Sequence, residues 1–565
     1  MYLSRFPSTS YLEAYLRDGR ITGPDETARD MINRIVGALA AADGRFDPRG
    51  ADAFAQLLGE ALDDRRIVFS TPVMTNAGRH ASHPLAACAV PPVDLRGDLS
   101  LVKAIVDDYH RAGMGTGFSL DGLDDPVAVL RYLNQVAVDG AASGIEDRPV
   151  GNMAILPLAH PRVLEFIRCK AGSDDRGEAW KFNISVQVTD AQMRAAEMGS
   201  GTERNLLVAA AESAWQCADP GLVFADRMNQ ANPTPQAGGY VSTAPCAEVG
   251  LTSGETCQFG YLNLGRFHAN AGSMPVNLGL LAETVATLVR ALDDAVEASL
   301  PFYPHPLSAS VMAAKRKIGV GACGLADLLL EARLPYDSKE GRALARDVIA
   351  FINYTSKLAS ADLAASRGPC PAIGGGQSRY ADPAFLVRFA GMGARTVSEA
   401  EWTALARQIA TTGMLRNCST IALPPTGRSA PVIGASTGIE PLFRLTDPHH
   451  PAFLHPAARA ILARYLDDEL IDEVTKSGRL PAGTPVDADV RDLLAIATQI
   501  PPSGHLAMVS AIQSCVDEAV AKTVNLPATA TPADVYDVYQ AAWEAGCKGI
   551  TVYRDGSRFS QPKAL

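Results

Sequence analysis

The chain has no Cys-x-x-Cys pair among its ten cysteines, at 88, 169, 217, 246, 257, 323, 370, 418, 515 and 547. That absence sets aside a zinc ribbon and a thioredoxin-like dithiol motif. No uninterrupted apolar run approaches the length of a membrane span, and the first residues, M-Y-L-S-R-F-P-S-T-S, carry no signal pattern. Positive charge is in deficit: 51 Lys and Arg stand against 62 Asp and Glu, a formal net charge of −11. A general nucleic-acid coat and an anionic membrane surface are therefore poor partners. Internal repeats and low-complexity segments are missing, which argues against a solenoid or a disordered scaffold. These gaps predict a cytoplasmic protein whose cysteines are reduced and mostly inert, with any disulfide more in place as a catalytic than a structural feature.

What is present is an ordinary folded chain of 565 residues, 47% hydrophobic and 20% charged, able to bury a large core. Apolar residues at helical spacing predict helices over Thr27–Ala41 and Ala51–Leu62, then a strand near Arg66 that enters a loop through Pro72. Further helices are expected over Leu99–Arg111, Asp125–Val138, 203–217, 277–298 and 339–366, and Lys181–Val188 alternates like a strand. Ser398 with Glu401 forms a capping box, and Thr531-Pro532 opens a helix that closes at Gly546 before the strand Gly549–Arg554. Strands alternating with helices point to an α/β barrel or an open sheet. The domain expectation is a helical region over 1–65, a catalytic α/β barrel over 66–558 and a short tail over 559–565.

Several stretches carry chemistry. In Val241–Leu264, Cys246 stands two residues from Glu248, with Cys257 a short loop further on. If Cys-x-Glu is extended, thiol and carboxylate share one face; a buried cysteine beside an acid reads the same way. Gly113, Gly115 and Gly117 alternate in G-M-G-T-G, which suits a close backbone approach to a ligand or a plain turn. The small-residue loop Asp139–Gly151, with Arg148 in it, is a candidate ligand-sensing segment. Thr426, Gly427, Arg428 and Ser429 offer hydroxyls, backbone N–H groups and a cation to a phosphate, or form a simple β-turn. His449, His450 and His455 look like a metal cluster but sit among prolines, so no metal site is expected.

Taken in order, these segments resemble the catalytic subunit of ribonucleotide reductases, above all the adenosylcobalamin-dependent class. The resemblance rests on F-S-T-P-V-M-T-N-A-G (69–78), the Gly113–Gly117 stretch, F-N-I-S-V (182–186), N-P-T-P (232–235), P-C-A-E (245–248) and C-Q-F-G-Y-L-N-L (257–264). It continues through L-R-N (415–417), P-T-G-R-S (425–429), S-T-G-I-E-P-L-F (436–443), A-V-A-K-T-V-N-L-P (519–527) and G-C-K-G-I-T-V-Y-R-D-G-S (546–557), covering roughly residues 25 to 558. It implies a ten-stranded α/β barrel with a central finger loop. It also implies that Cys246 becomes a thiyl radical and abstracts the 3′ hydrogen of the ribose, and that Glu248 takes the 3′-hydroxyl proton. Cys88 and Cys257 would reduce the substrate and end as a disulfide, which requires Cα atoms about 5.5 Å apart. Thr71 and the turn of Pro425, Thr426, Gly427, Arg428 and Ser429 match substrate-contacting positions.

The oxygen- and metal-dependent relatives need adjacent tyrosines, and this chain has no Tyr-Tyr pair; the glycyl-radical relatives need a C-terminal motif that G-I-T-V-Y-R-D-G-S-R does not resemble. With the resemblance, this leaves adenosylcobalamin as radical source. The substrate would be a ribonucleoside di- or triphosphate, with an external dithiol as reductant, a deoxynucleotide or ATP as effector, and a homodimer by family analogy. Four departures stand out. Ala244 replaces the family's Asn before the radical cysteine, Ala87 replaces a Ser, and Pro149 stiffens the effector loop beside Arg148. The C-terminal cysteine pair is absent, Cys547 being the last cysteine. Two other readings therefore remain: a radical enzyme of the same fold with a different nucleotide or sugar substrate, and a non-catalytic nucleotide-binding relative.

Overall fold

Local sequence signals set the helices, and a closed sheet gathers them. The computed structural model describes residues 9–557 apart from 81, 147, 174–175, 200, 271–273 and 448–451. Thr27, Ser398 and Thr531 each accept from the backbone three residues on in a reciprocal capping box, starting helices Ala28–Asp43, Glu399–Thr412 and Pro532–Glu544. Leu99–Arg111 is helical as expected. Pro72 does not open a loop: it sits in the first turn of a short helix, Thr71–Asn76, where its missing N–H costs nothing.

Among the described residues twelve strands follow in chain order: β1 (Ile67–Phe69), β2 (Cys88–Ala89), β3 (Gly115–Ser119), β4 (Asn152–Pro157), β5 (Phe182–Val188), β6 (Gly221–Phe224), β7 (Ser242–Thr243), β8 (Gly250–Leu251), β9 (Thr256–Asn263), β10 (Ile318–Cys323), β11 (Thr523–Leu526) and β12 (Gly549–Arg554). β2 to β6 run parallel to their neighbours, each pair joined through one or more helices. A second parallel set begins with β9 and β10, continues through the Ile421–Leu423 segment, which bridges Val320 on one side and Val520 on the other, and ends with β11 and β12. The two halves meet antiparallel at both seams, β2 against β9 and β6 against β12. This closes a ring of ten segments, the ten-stranded α/β barrel, with β1 added antiparallel along β9. Within the ring every segment has a neighbour on both sides. All eight residues of β9 and all six of β10 are buried, as expected for parallel strands covered on both faces.

β7 and β8 stand apart as a two-stranded hairpin. It passes beside β3 and β4, and the alternating glycines explain how. A Cβ on Gly117 would fall 2.2 Å from the Thr243 carbonyl oxygen, and one on Gly115 would fall 3.1 Å from the Pro245 ring. The close approach expected of the Gly113–Gly117 stretch is thus to the hairpin, and the stretch is mostly a strand.

Outside the barrel, helices Ala28–Asp43 and Ala51–Asp63 pack on Leu278–Ser299, and Asp43 accepts from Arg290 at 2.6 and 2.7 Å. A separate apolar cluster forms around helices Pro456–Leu462 and Asp468–Ser477. There His455 caps Pro456–Leu462 through Nδ1 and pairs by Nε2 with Asp327 at 2.8 Å. His449, His450 and the tail expected over 559–565 lie outside the described residues. Among the described residues no group of three or more His, Cys, Asp or Glu is placed to hold a metal, and no helix is long and apolar enough to cross a membrane.

Glycine on β10 tests the interior packing. A Cβ on Gly319 would lie 2.2 Å from the Phe259 ring, so Gly319→Ala is expected to destabilise the fold by about 1–3 kcal/mol, read as a lower midpoint in denaturant unfolding.

Candidate active site

The hairpin β7–β8 carries its chemistry at the tip. Ala244 donates its N–H to Val249 (3.0 Å) and accepts from Ala247 (2.9 Å), and Ala247 takes the left-handed conformation at φ 60°. Cys246 and Glu248 therefore lie in a tight turn and not in the extended segment the alternation suggested. A strained residue between them re-aims the two side chains. The turn is held from both sides: Asn183 Nδ2 on β5 donates to the Pro245 carbonyl (2.8 Å), and the Ala519 N–H donates to the Glu248 carbonyl (2.9 Å).

Beneath the hairpin lies a buried ion cluster. Lys317 donates to the Gly250 carbonyl at 2.8 Å and pairs with Glu255 and Glu518 at 3.2 Å each. Lys315 pairs with Glu255 at 2.9 Å, and the Tyr240 hydroxyl donates to Glu518 at 3.0 Å. Burial works to raise the Glu255 carboxyl, but Lys315 and Lys317 hold it down at about 2. Two cations balance two anions, which is how charges survive at this depth.

Cys88 and Cys257, far apart in sequence, are register partners across the β2–β9 seam. Directly opposed residues of an antiparallel pair have Cα atoms about 4.5–5.5 Å apart, within the range a disulfide needs. Both are free thiols here. Burial pushes the Cys257 thiol well up, and its contact with the Cys88 thiol pushes the same way.

Cys246 opens its side chain to a cavity of about 450 Å³ walled by the barrel strands, with Ile184, Glu440, Lys522, Leu526 and Val552 among its lining. Burial, then Glu248 and Cys88, push that thiol well above its ordinary value, so it stays S–H. Glu248 is 3% exposed and Oε2 has no hydrogen-bond partner. Burial raises its carboxyl to about 7, against the pull of the backbone N–H groups of Glu248 and Cys246. A carboxyl in that range can take or give a proton near neutrality.

The remaining predicted residues are placed unevenly. Pro425 lines the cavity with Cys246. Thr71 is buried at the start of its helix, behind Ser70, whose N–H donates to Phe259 on β9 (3.0 Å). Thr426 Oγ1 accepts from the Gly438 N–H at 2.7 Å, and its carbonyl accepts from Ser429 at 3.0 Å, so Thr426–Ser429 is a turn, with Gly427 inside it. Through one of its nitrogens the Arg428 guanidinium donates to the Gly19 carbonyl at 2.9 Å, while Tyr15 donates to the Arg428 carbonyl at 3.1 Å. Ala87 keeps its backbone in the seam, donating to Cys257 at 3.0 Å and accepting from Gly115 at 2.9 Å. Ala244 buries its methyl completely. Arg148 leaves the candidate sensing loop and reaches the Ala87 carbonyl at 3.4 Å, where burial lowers its guanidinium to about 10. Pro149 beside it is exposed.

Sequence reasoning missed three features: the Lys315–Lys317 anchor, whose signal is the K-R-K run before β10; Tyr261; and the buried pair of Lys522 with Glu440 (2.5 Å) on the cavity wall.

A barrel of two parallel halves around a hairpin that bears a thiol and a carboxylate defines a class, and comparison with known proteins gives the same one. The family model described as "Ribonucleotide reductase, barrel domain" matches residues 119–204 and 200–553. The vitamin B12-dependent ribonucleoside-diphosphate reductase of Mycobacterium tuberculosis is 33% identical over 99% of this chain and 80% of its own. That of Thermoplasma acidophilum is 31% identical over 96% of this chain and 69% of its own. The class Id ribonucleotide reductase alpha subunit of Actinobacillus ureae superposes with a TM-score of 0.78, covering 98% of this chain and 99% of its own at 15% identity, a likeness of fold. The chain belongs to the ribonucleotide reductase family.

The Glu248 shift has a measurable consequence. Its folded value, about 7, exceeds the ordinary 4.5, so the stability of the protonated carboxyl is fully present below pH 4.5 and lost as pH rises through 7. At pH 8, Glu248→Gln is expected to be more stable than the parent by about 3 kcal/mol, the gap closing toward pH 4.5 in denaturant unfolding.

Proposed function

We propose that this protein reduces ribonucleotides to 2′-deoxyribonucleotides by adenosylcobalamin-initiated thiyl-radical chemistry, with ribonucleoside diphosphates as substrates. The observation that carries the proposal is the gathering of Cys246, Glu248 and the cross-strand Cys88–Cys257 pair around one hairpin tip. The B12 dependence and the diphosphate substrate are those stated in the names of the 33% and 31% identical relatives.

The cavity fits a radical-supplying cofactor by its chemistry. It presents the one thiol that must lose a hydrogen atom, and its volume of about 450 Å³ suits a nucleoside-sized arm beside that thiol. Ser185, Asn525 and Thr551 on its walls, with the Lys522–Glu440 pair, would hold such a group. Bound there, adenosylcobalamin would supply a radical by homolysis of its cobalt–carbon bond.

Every other step falls to this chain's own residues. Cys246, kept uncharged by burial, gives up its hydrogen atom and then takes the one on the ribose 3′ carbon. Glu248 accepts the 3′-hydroxyl proton, and the burial that raises its carboxyl to about 7 makes its carboxylate a stronger base for that transfer. The 2′ hydroxyl leaves as water with a proton from the Cys88–Cys257 pair. The pair supplies two electrons and two protons in all and closes as a disulfide. Cys246 returns a hydrogen atom to the 3′ carbon, and Glu248 returns its proton. The sum is one ribonucleotide and two thiols giving one deoxyribonucleotide, one water and one disulfide. An external dithiol then reopens the disulfide by exchange.

The test is an anaerobic assay with adenosylcobalamin, a strong dithiol and each ribonucleoside diphosphate, read by mass spectrometry. Deoxynucleotide formation is expected in the parent and background levels in Cys246→Ala. The kcat/KM is expected to rise with pH through about 7 as Glu248 ionises. Cofactor cleavage without deoxynucleotide would point to a different sugar substrate.

A further inference from the structure

Tyr261 lies on β9 four residues beyond Cys257. Side chains alternate along a strand, so Cys257, Phe259 and Tyr261 share one face. β10 runs alongside with glycine at the two positions facing those rings. A Cβ on Gly319 would fall 2.2 Å from the Phe259 ring, and one on Gly321 would fall 2.7 Å from the Tyr261 ring. The glycines leave the room that the two aromatic rings fill.

Phe259 asks for nothing polar, but Tyr261 carries a hydroxyl into the region of the hairpin tip. Glu248, Cys88, Cys257 and Arg148 all act electrostatically on that hydroxyl, and burial first, then Glu248, hold it protonated. It is a hydrogen-bond donor set among groups that need one. Glu248 Oε2 is buried without a partner, and Ala244 and Ala87, where the family resemblance sets polar residues, offer only methyls. An unpartnered buried oxygen is costly, so a site that tolerates one is arranged for a ligand to complete.

We propose that Tyr261 is a further substrate-binding residue, whose phenol donates a hydrogen bond to a ribose hydroxyl between Glu248 and the Cys88–Cys257 pair. The inference rests on the ribonucleotide reading above. It gives the pocket the donor that alanine at 244 and 87 cannot supply, and places it on the strand that also carries one of the reducing thiols.

The experiment is calorimetric titration of the full-length protein with ADP, CDP, GDP and UDP, and with the 2′-deoxy and 3′-deoxy forms of whichever binds. Tyr261→Phe keeps the ring over Gly321 and removes only the hydroxyl. It is expected to weaken ribonucleotide binding about tenfold while leaving unchanged the analogue that lacks the contacted hydroxyl. Ala244→Asn added to Tyr261→Phe is expected to recover part of the loss. Tyr261→Met, which also lacks the donor but packs flexibly, is read in the same way should Tyr261→Phe fold poorly. Parent-like affinity for the ribonucleotide and both analogues in the variant would overturn the inference. A parent that binds none of the four diphosphates overturns the ribonucleotide reading itself, and the inference with it.

Discussion

The structure depends on a buried charge cluster that holds a hairpin inside a closed sheet. Lys317 grips the Gly250 carbonyl and two carboxylates, Lys315 shares Glu255, and Tyr240 closes the set on Glu518. Removing one partner from such a cluster leaves an uncompensated charge, at a cost of about 3–5 kcal/mol. The hairpin has only two residues in each strand, too few to stand alone. Its position is imposed by the ions below, by Asn183 at its side and by the β3 glycines that let it pass.

Confinement of the hairpin sets the chemistry at its tip. The same low-polarity surroundings keep Cys246 and Cys257 as thiols and lift Glu248 to about 7. In the proposed reaction the thiol loses a hydrogen atom and not a proton, and burial that disfavours the thiolate serves that role. The proposed proton acceptor, Glu248, is served by burial that raises its basicity. One environment meets both needs, and ionised Glu248 destabilises the fold in return.

Glycine use along the barrel follows a single rule. Gly115 and Gly117 on β3 admit the hairpin, while Gly319 and Gly321 on β10 admit the rings of Phe259 and Tyr261. In each case the interior is filled by something other than the local side chain. The β3 glycines were visible in the sequence, but what they approach was not, because the hairpin comes from more than a hundred residues away.

Helix starts were legible because they are local. Thr27, Ser398 and Thr531 bond backbone groups three residues on, and no distant contact competes with that. The ordered blocks around Cys88, Cys246, Glu248 and Cys257 announced the family, and the closed ten-segment ring is the fold that they implied. Chain folding alone decided the geometry of the site. Cys88 meets Cys257 only because two half-barrels join antiparallel at β2 and β9. Cys246 and Glu248 share a turn because Ala247 is held at positive φ by its surroundings. Arg428 turns to Gly19 and Arg148 to Ala87 because carbonyls brought near by folding are the acceptors they reach. Residue types and local spacing determined which groups the protein carries; burial and long-range register decided which of them meet and in what protonation state, since both depend on neighbours that the linear order does not name.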